Sequence, residues 1–194
     1  MSKTVYFDSN EQYVQWKMNS ALLELIQKTD KPCDSVTIIC IGTDRSTGDS
    51  FGPLTGHMLS RLTLVNFSLF GTLELPVHAL TLSQVLEGID TKSSLVIAVD
   101  AGVGDLNMVG NIGIGCEPVK PGSGLGKDLP CVGDISITGI VAMGGLSPFI
   151  MLQNAPLGLV YKMAEKSFFA IQYALRTVQA ERQGQKIITP RIFA

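Results

Sequence analysis

The sequence predicts an α/β fold, a three-layer α/β/α sandwich with a mainly parallel sheet. Continuous apolar runs rich in β-branched residues alternate with segments of helical periodicity. Hydrophobic residues make up 45% of the chain and charged residues only 16%, which is typical of a sheet covered on both faces. No internal repeat or low-complexity linker interrupts the 194 residues, so residues 1–194 are expected to form one domain.

The first predicted element is an amphipathic helix. Residues 9–29 carry apolar side chains at helical spacing, behind Ser9 or Asn10 as a cap. Pro32 is expected to end this helix.

Further patterns follow in the middle of the chain. They predict a strand at residues 35–42 and a helix at residues 54–62. An extended stretch at residues 65–79 and a short helix at residues 83–89 follow. The strand is continuously apolar, as a central parallel strand is. Pro53 suits the first turn of a helix, and Thr81 or Ser83 can cap the short helix.

The pattern in the second half of the chain predicts three strands, at residues 94–100, 110–117 and 135–143. A long helix is predicted at residues 156–183. Residues 120–129, KPGSGLGKDL, have the composition of a mobile loop. Residues 135–161 carry no charge and are long enough to span a bilayer. Their glycines and prolines instead indicate a strand, a loop and the start of a helix, so no membrane span is expected.

Charge and cysteine content narrow the classes of partner. The net charge is -2 and the 15 lysines and arginines are scattered, which argues against nucleic-acid binding. No C-x-x-C pair occurs and the first residues are polar where a signal peptide is apolar, so a cytoplasmic chain with reduced thiols is expected. The surplus of apolar side chains is compatible with a homo-oligomer.

Two loops are the expected place for function, because ligands of parallel α/β sheets bind beyond the carboxyl ends of the strands. One loop is GTDRSTGDSFGP at residues 42–53, and the other begins at Asp100. The first loop is unusually polar for so apolar a chain. Three chemistries are candidates for this loop.

Phosphate binding and serine catalysis both meet obstacles. The segment GTDRSTGDS is one residue too long for a phosphate loop and has Asp49 where the lysine belongs. A carboxylate about 4 Å from a phosphate is repelled by about 4 kcal/mol at an effective dielectric constant of about 20. GDSFG matches the serine motif G-x-S-x-G at Ser50, but His57 and His78 both precede Asp100, so the order of a serine hydrolase cannot be completed.

The third chemistry is a pair of carboxylates, Asp49 and Asp100. Two acids close together cannot both ionise freely, so one holds a proton while the other stays charged. Such a pair can activate water and protonate a leaving amine. The alternative is that each aspartate is only a helix cap or a turn former.

These residues resemble known families. The segment DSFGP, with Asp49 three residues before Gly52, resembles the active-site loop of the germination protease of spore-forming bacteria. That enzyme is an aspartic-type peptidase of small acid-soluble spore proteins. VIAVDA at residues 96–101 is similar to its second catalytic strand. The same two acids are similar to metal-binding acids of the hydrogenase maturation endopeptidases, which share that fold. The chain also resembles the YyaC-type sporulation proteins through IGTDRSTGDSFGPLTG, GTLELPVHA and LQNAPLGLVYKMAE.

The resemblance implies a phosphorylase/hydrolase-like fold and a single peptidase-like domain. It implies Asp49 and Asp100 as catalytic acids acting on a peptide or protein substrate in sporulation or spore germination, without a cofactor. Hydrogenase endopeptidases add a histidine beyond the second acid, and this chain has none after His78. A divalent metal at Asp49, Asp100 and His78, in a metal-dependent hydrolase, is one alternative, and an inactive peptide- or partner-binding protein is another.

Five further residues are candidate substrate-binding residues: Asp44, Arg45, Ser50, His78 and Asn154. Arg45 can pair with Asp44 across the loop or hold a substrate carboxylate with its planar guanidinium. Ser50 is alternatively a turn hydroxyl, and burial in the core is the alternative for His78. His57 is expected to be structural.

Overall fold

The computed structural model describes residues 4–31, 35–63, 67–91, 93–122, 129–145 and 147–184. Its strands are β1 Val5–Asp8, β2 Val36–Cys40, β3 Phe67–Phe70, β4 Leu95–Gly104, β5 Asn111–Gly115 and β6 Ile135–Met143. Its helices are α1 Val14–Lys28, α2 Phe51–Leu59, α3 Leu82–Glu87, α4 Pro148–Gln153 and α5 Leu157–Arg182. Two short 3₁₀ turns span Gly48–Ser50 and Leu106–Met108. Most of the predicted loop at residues 120–129 lies outside the described residues.

The strands form one six-stranded sheet in the order β1-β5-β6-β4-β2-β3. β6, β4, β2 and β3 are parallel, and β5 runs antiparallel to both β6 and β1. The predicted α/β class with a mainly parallel sheet is therefore confirmed. The chain leaves β2 toward β3 and then crosses back to β4 on the other side. The switch point where ligands bind in such sheets therefore lies between β2 and β4.

Helices and loops cover the two faces of the sheet unequally. One face packs against α1, α2 and α5 and contains the larger core, in which Met18, Leu22, Ile38, Ile97 and Ile137 are fully buried. The other face has a smaller core around α3, with Ile39, Val96, Ala98, Leu82 and Val132. These helices on both faces give the three predicted layers. The smaller core leaves part of the second face open for a site.

The start of the first helix differs from the prediction. Ser9 and Asn10 lie in a turn before α1, where the backbone N–H of Asn10 donates to the Asp8 carboxylate at 2.8 Å. Tyr13 precedes the helix in the left-handed region, with φ 64°, and α1 begins at Val14. The cap prediction was wrong because a side chain of the preceding strand organises this turn.

The structure also contains two elements that the pattern did not predict, β1 and α4. Only Phe7 is buried in β1, and only Leu152 is buried in α4. Each element is therefore too short and too exposed to show a clear apolar period.

The charge-free stretch at residues 135–161 divides among β6, α4 and the first turn of α5. Over the described ranges, the model contains no helix with the length and apolar character that crossing a bilayer requires. Among the cysteines, Cys40 lies in the core and burial raises the pKa of its thiol. Cys116 and Cys131 are exposed free thiols.

Candidate active site

Asp100 lies within a strand rather than at the end of one, which corrects the sequence prediction. β2 ends at Cys40, which pairs with Val99, whereas β4 continues to Gly104 beside β6. Asp100 is thus the first residue of β4 beyond the end of β2, and its partner on β6 is Thr138. Asp100 therefore lies at the carboxyl end of β2, as expected, although β4 itself continues for four more residues.

Glycines hold the polar loop close to the sheet. Gly42 has φ 136°, and a Cβ there would lie 2.0 Å from the carbonyl oxygen of Asp49. A Cβ on Gly52 would lie 2.1 Å from the carbonyl oxygen of Ile41. Because only glycine allows these approaches, the chain folds back on the end of β2 and forms the 3₁₀ turn that carries Asp49.

An aromatic side chain anchors the same turn. Phe51 is fully buried, and its ring lies against Gly139 of β6, where a Cβ would be 3.0 Å from the nearest ring carbons. On the other side, a Cβ on Gly48 would lie 2.7 Å from the carbonyl oxygen of Leu152 in α4. The turn is therefore held between β6 and α4, and Asp49 takes its position from both.

Asp49 and Asp100 line one cavity of about 520 Å³, within the usual range for ligand pockets. Thr138 lies beside Asp100 on its floor, and Tyr6 and Lys120 also line it. Its apolar lining includes Val103, Val119, Ile140 and Leu152. The structure thus brings together the two predicted acids, one from each side of the switch point.

The surroundings of the two acids differ in a way that matters for proton transfer. Asp100 is 8% exposed, and its pKa is raised well above the usual range by burial and, to a smaller degree, by the charge of Asp49. The backbone N–H of Ala101 donates to Asp100 Oδ1 at 2.9 Å, which partly offsets this rise in pKa. Asp49 is half-buried. Asp100 therefore keeps its proton to a higher pH than an exposed aspartate does.

A protonated carboxyl group beside a carboxylate can act as acid and base on the same bound molecule. This is the chemistry that the cavity offers without any further group.

Comparison with known proteins matches residues 6–169 to a family model described as "Protein of unknown function (DUF1256)". The chain belongs to the DUF1256 family. It is 48% identical over 131 residues to a protein of Bacillus subtilis (strain 168) that is called "Uncharacterized protein YyaC". That alignment covers 66% of this chain and 64% of the relative, so the chain matches less than two thirds of the relative's length. The resemblance to YyaC-type proteins is confirmed to this extent, and the kinship to the peptidase families stays a prediction.

Three of the other candidate residues of this DUF1256 chain line a different cavity. Asp44, Arg45 and His78 border a space of about 270 Å³, together with Glu74. His78 organises the turn before α3: its backbone N–H donates to Thr81 Oγ1 at 3.1 Å, and its Nδ1 accepts the N–H of Leu80 at 3.3 Å. Within the described chain, no ion pair joins Arg45 to Asp44.

Ser50 and Asn154 make local hydrogen bonds. Ser50 is buried, and its hydroxyl donates to the carbonyl oxygen of Thr47 at 2.6 Å, as a turn hydroxyl does. Asn154 is exposed just after α4, and its side-chain amide donates to the carbonyl oxygen of Ile150 at 2.7 Å. Neither side chain is among those that line the cavity of the two acids.

Metal binding by Asp49, Asp100 and His78 would need His78 to leave its own cavity. Among the residues that the model places, no three His, Cys, Asp or Glu side chains form a group able to hold a metal ion. His57, expected to be structural, lies on α2 with its Nδ1 3.1 Å from the Glu74 carboxylate.

Three polar residues that line the cavity of the two acids in this DUF1256 chain were not predicted as site residues: Tyr6, Lys120 and Thr138. Tyr6 belongs to the unpredicted β1, and Thr138 lies within a strand that looked simply buried. All three fall inside the range matched by the family model. The signal that the sequence offers for Thr138 is a polar side chain that, like Ser136, interrupts an apolar strand.

Proposed function

We propose that this protein is an aspartic-type endopeptidase in which Asp49 and Asp100 activate water against a peptide bond. One observation supports this most directly. Two acids from opposite sides of the switch point line one open cavity, and burial together with the charge of Asp49 raises the pKa of Asp100. Raised pKa values of this kind cluster at catalytic sites.

In the proposed reaction, the Asp49 carboxylate takes a proton from a water molecule as the water oxygen attacks the peptide carbonyl carbon. Asp100 gives its proton to the carbonyl oxygen, which produces a neutral tetrahedral diol. The C–N bond then breaks, Asp49 passes its proton to the leaving nitrogen, and one diol hydroxyl returns a proton to Asp100. Both acids end in their starting states, so the cycle needs no further reagent.

The resemblance to the germination protease suggests small acid-soluble spore proteins as the first substrates, and a role in sporulating cells or germinating spores. Reduced and alkylated casein serves as a general unfolded substrate beside them. The test compares wild-type protein with Asp49→Asn, Asp100→Asn and the double variant, with fragments measured by mass spectrometry. Asp105→Asn is the matched control, because Asp105 is exposed just after β4 and is not among the residues that line the cavity.

Each catalytic substitution is expected to lower the cleavage rate by about 10²–10⁴-fold. The double variant should lose little more than either single one, because the two acids act as a unit. Cleavage that survives in both single variants would defeat the assignment.

The alternatives give different results in the same experiment. Peptide binding that persists in the double variant, with no turnover by the wild type, would identify an inactive binding protein. Cleavage that chelators abolish and zinc or nickel restores would identify a metal-dependent hydrolase.

A further inference from the structure

Four residues form a row across the sheet at the level of the acid pair. Asp100 on β4 pairs with Thr138 on β6, Thr138 pairs with Gly113 on β5, and Gly113 pairs with Tyr6 on β1. Asp100, Thr138 and Tyr6 all line the cavity. The cavity is therefore a groove that runs across the strands, from the acids toward the edge of the sheet.

An aromatic ring lies at the far end of this groove. A Cβ on Gly113 would lie 2.8 Å from Tyr6 Cε1 and 3.2 Å from Tyr6 Cδ1, so the ring lies directly over the glycine. Any other residue at position 113 would push the ring away. Because the outer edge of β1 has no neighbouring strand in the described sheet, Tyr6 stands between the groove and the edge of the molecule.

The rest of the lining comes from two parts of the chain. Val119, Lys120 and Gly122 follow β5, and Val103 and Ile140 belong to β4 and β6. Among the described lining residues, Lys120 is the one cation. Apolar lining residues beside a few polar side chains can contact both the side chains and the backbone of a polypeptide.

The length of the row sets how much chain it holds. The ring of Tyr6 lies over Gly113, and Gly113 is two strand spacings from Asp100, which is about 10 Å at about 4.8 Å per spacing. An extended polypeptide covers about 3.3–3.6 Å per residue. The groove therefore accommodates about three residues between the acid pair and the ring of Tyr6.

We propose that the groove receives about three residues of an extended polypeptide on one side of the scissile bond, and that Tyr6 restricts the last of them to a small side chain. This specificity rests on the proposed peptidase function. The physical reason is space: the ring of Tyr6 over Gly113 fills the volume that a large side chain at that position would need.

Cleavage specificity tests the role of Tyr6. Reduced and alkylated casein is digested with wild type, Tyr6→Ala, Tyr6→Phe and Val5→Ala, and the residues around each cut are counted by mass spectrometry. Val5 is the matched control, because it is the adjacent β1 residue, is 53% exposed and is not among the cavity-lining residues. Wild type, Tyr6→Phe and Val5→Ala should exclude aromatic side chains at one position about three residues from the cut.

Tyr6→Ala should accept aromatic side chains at that position at least about tenfold more often, with the other positions unchanged. Equal preferences in wild type and Tyr6→Ala would overturn the inference while leaving the peptidase function in place.

A binding experiment covers the case in which nothing is cleaved. The chain has one tryptophan, so Tyr6→Trp in a Trp16→Phe background puts a single fluorophore at the end of the groove. A blocked pentapeptide of alanine and serine should shift its emission, and a blocked dipeptide should not. A shift without cleavage would remove the peptidase function and keep the peptide-binding groove, whereas no shift and no cleavage would overturn both.

Discussion

Gly139→Ala tests whether the contact between β6 and Phe51 positions the turn that carries Asp49. The added Cβ would lie 3.0, 3.0 and 3.1 Å from three carbons of the Phe51 ring. Ordinary contact begins at 3.4 Å, so the ring must move by about 0.4 Å. Phe51 is fully buried, and it has no free space to move into.

Overpacking of a buried site costs about 1–3 kcal/mol of unfolding free energy. For a chain of this size, each kcal/mol lowers the melting temperature by about 2–4 °C, so a fall of roughly 2–12 °C is expected. Thermal unfolding followed by circular dichroism measures it. Gly158→Ala is the control, because a Cβ there meets nothing within 4 Å, and its melting temperature should stay level or rise slightly.

A double-mutant cycle then isolates the contact. Phe51→Leu shortens the side chain that the new methyl group meets, so Gly139→Ala should cost less in that background than in wild type. Equal costs in the two backgrounds, or a melting temperature that Gly139→Ala leaves unchanged, would refute the account of this contact. Since Asp49 lies two residues before Phe51, Gly139→Ala should also slow any cleavage of casein.

Two further predictions concern ionisable groups that are buried or partly buried. Because the pKa of Asp100 is raised in the folded chain, the stability that this group contributes is present below its unfolded pKa of about 3.9 and is lost as pH rises through its folded pKa. The free energy of unfolding of Asp100→Asn should therefore rise relative to that of wild type above about pH 4, by about 1.4 kcal/mol per pH unit between those two pKa values. Urea unfolding at pH 4–8 measures this difference, and a difference that does not change with pH would contradict the prediction. Asp134 accepts a hydrogen bond from the N–H of Val96 at 2.9 Å and forms an ion pair with Lys31 at 2.8 Å. Asp134→Ala should therefore lower the free energy of unfolding by about 1–3 kcal/mol, and Lys31→Met should lower it by less than about 1 kcal/mol. The same urea assay measures both, and equal costs would show that the strand N–H is not what Asp134 stabilises.

The central strands and the long helix could be predicted from the sequence, because their burial requires apolar residues in a regular pattern along the chain. The predicted strand at residues 135–143 matches β6, and the predicted helix at residues 156–183 differs from α5 by one residue at each end. A strand buried on both faces needs a continuous apolar run, and a long helix needs a repeating apolar stripe. Both signals lie within a short window of sequence.

The sequence also singled out Asp49 and Asp100, through their positions after apolar runs. It did not separate them from Asp44, Arg45 and His78, which the structure places around a second cavity. All five residues are polar and follow apolar or β-branched stretches of the sequence. Which cavity each side chain enters depends on the path of the loop, and Gly42 and Gly52 set that path through contacts as close as 2.0–2.1 Å.

What the sequence alone determined is the α/β class, the buried strands and the two acids, because these depend on local burial and on residue chemistry. The tertiary structure alone decided that β4 outruns β2, that β1 joins the sheet at its edge, and that Tyr6 and Thr138 share a row with Asp100. Pairing between strands joins residues that are distant in the chain, and no local pattern records which partner a strand will find. The groove is a product of that pairing.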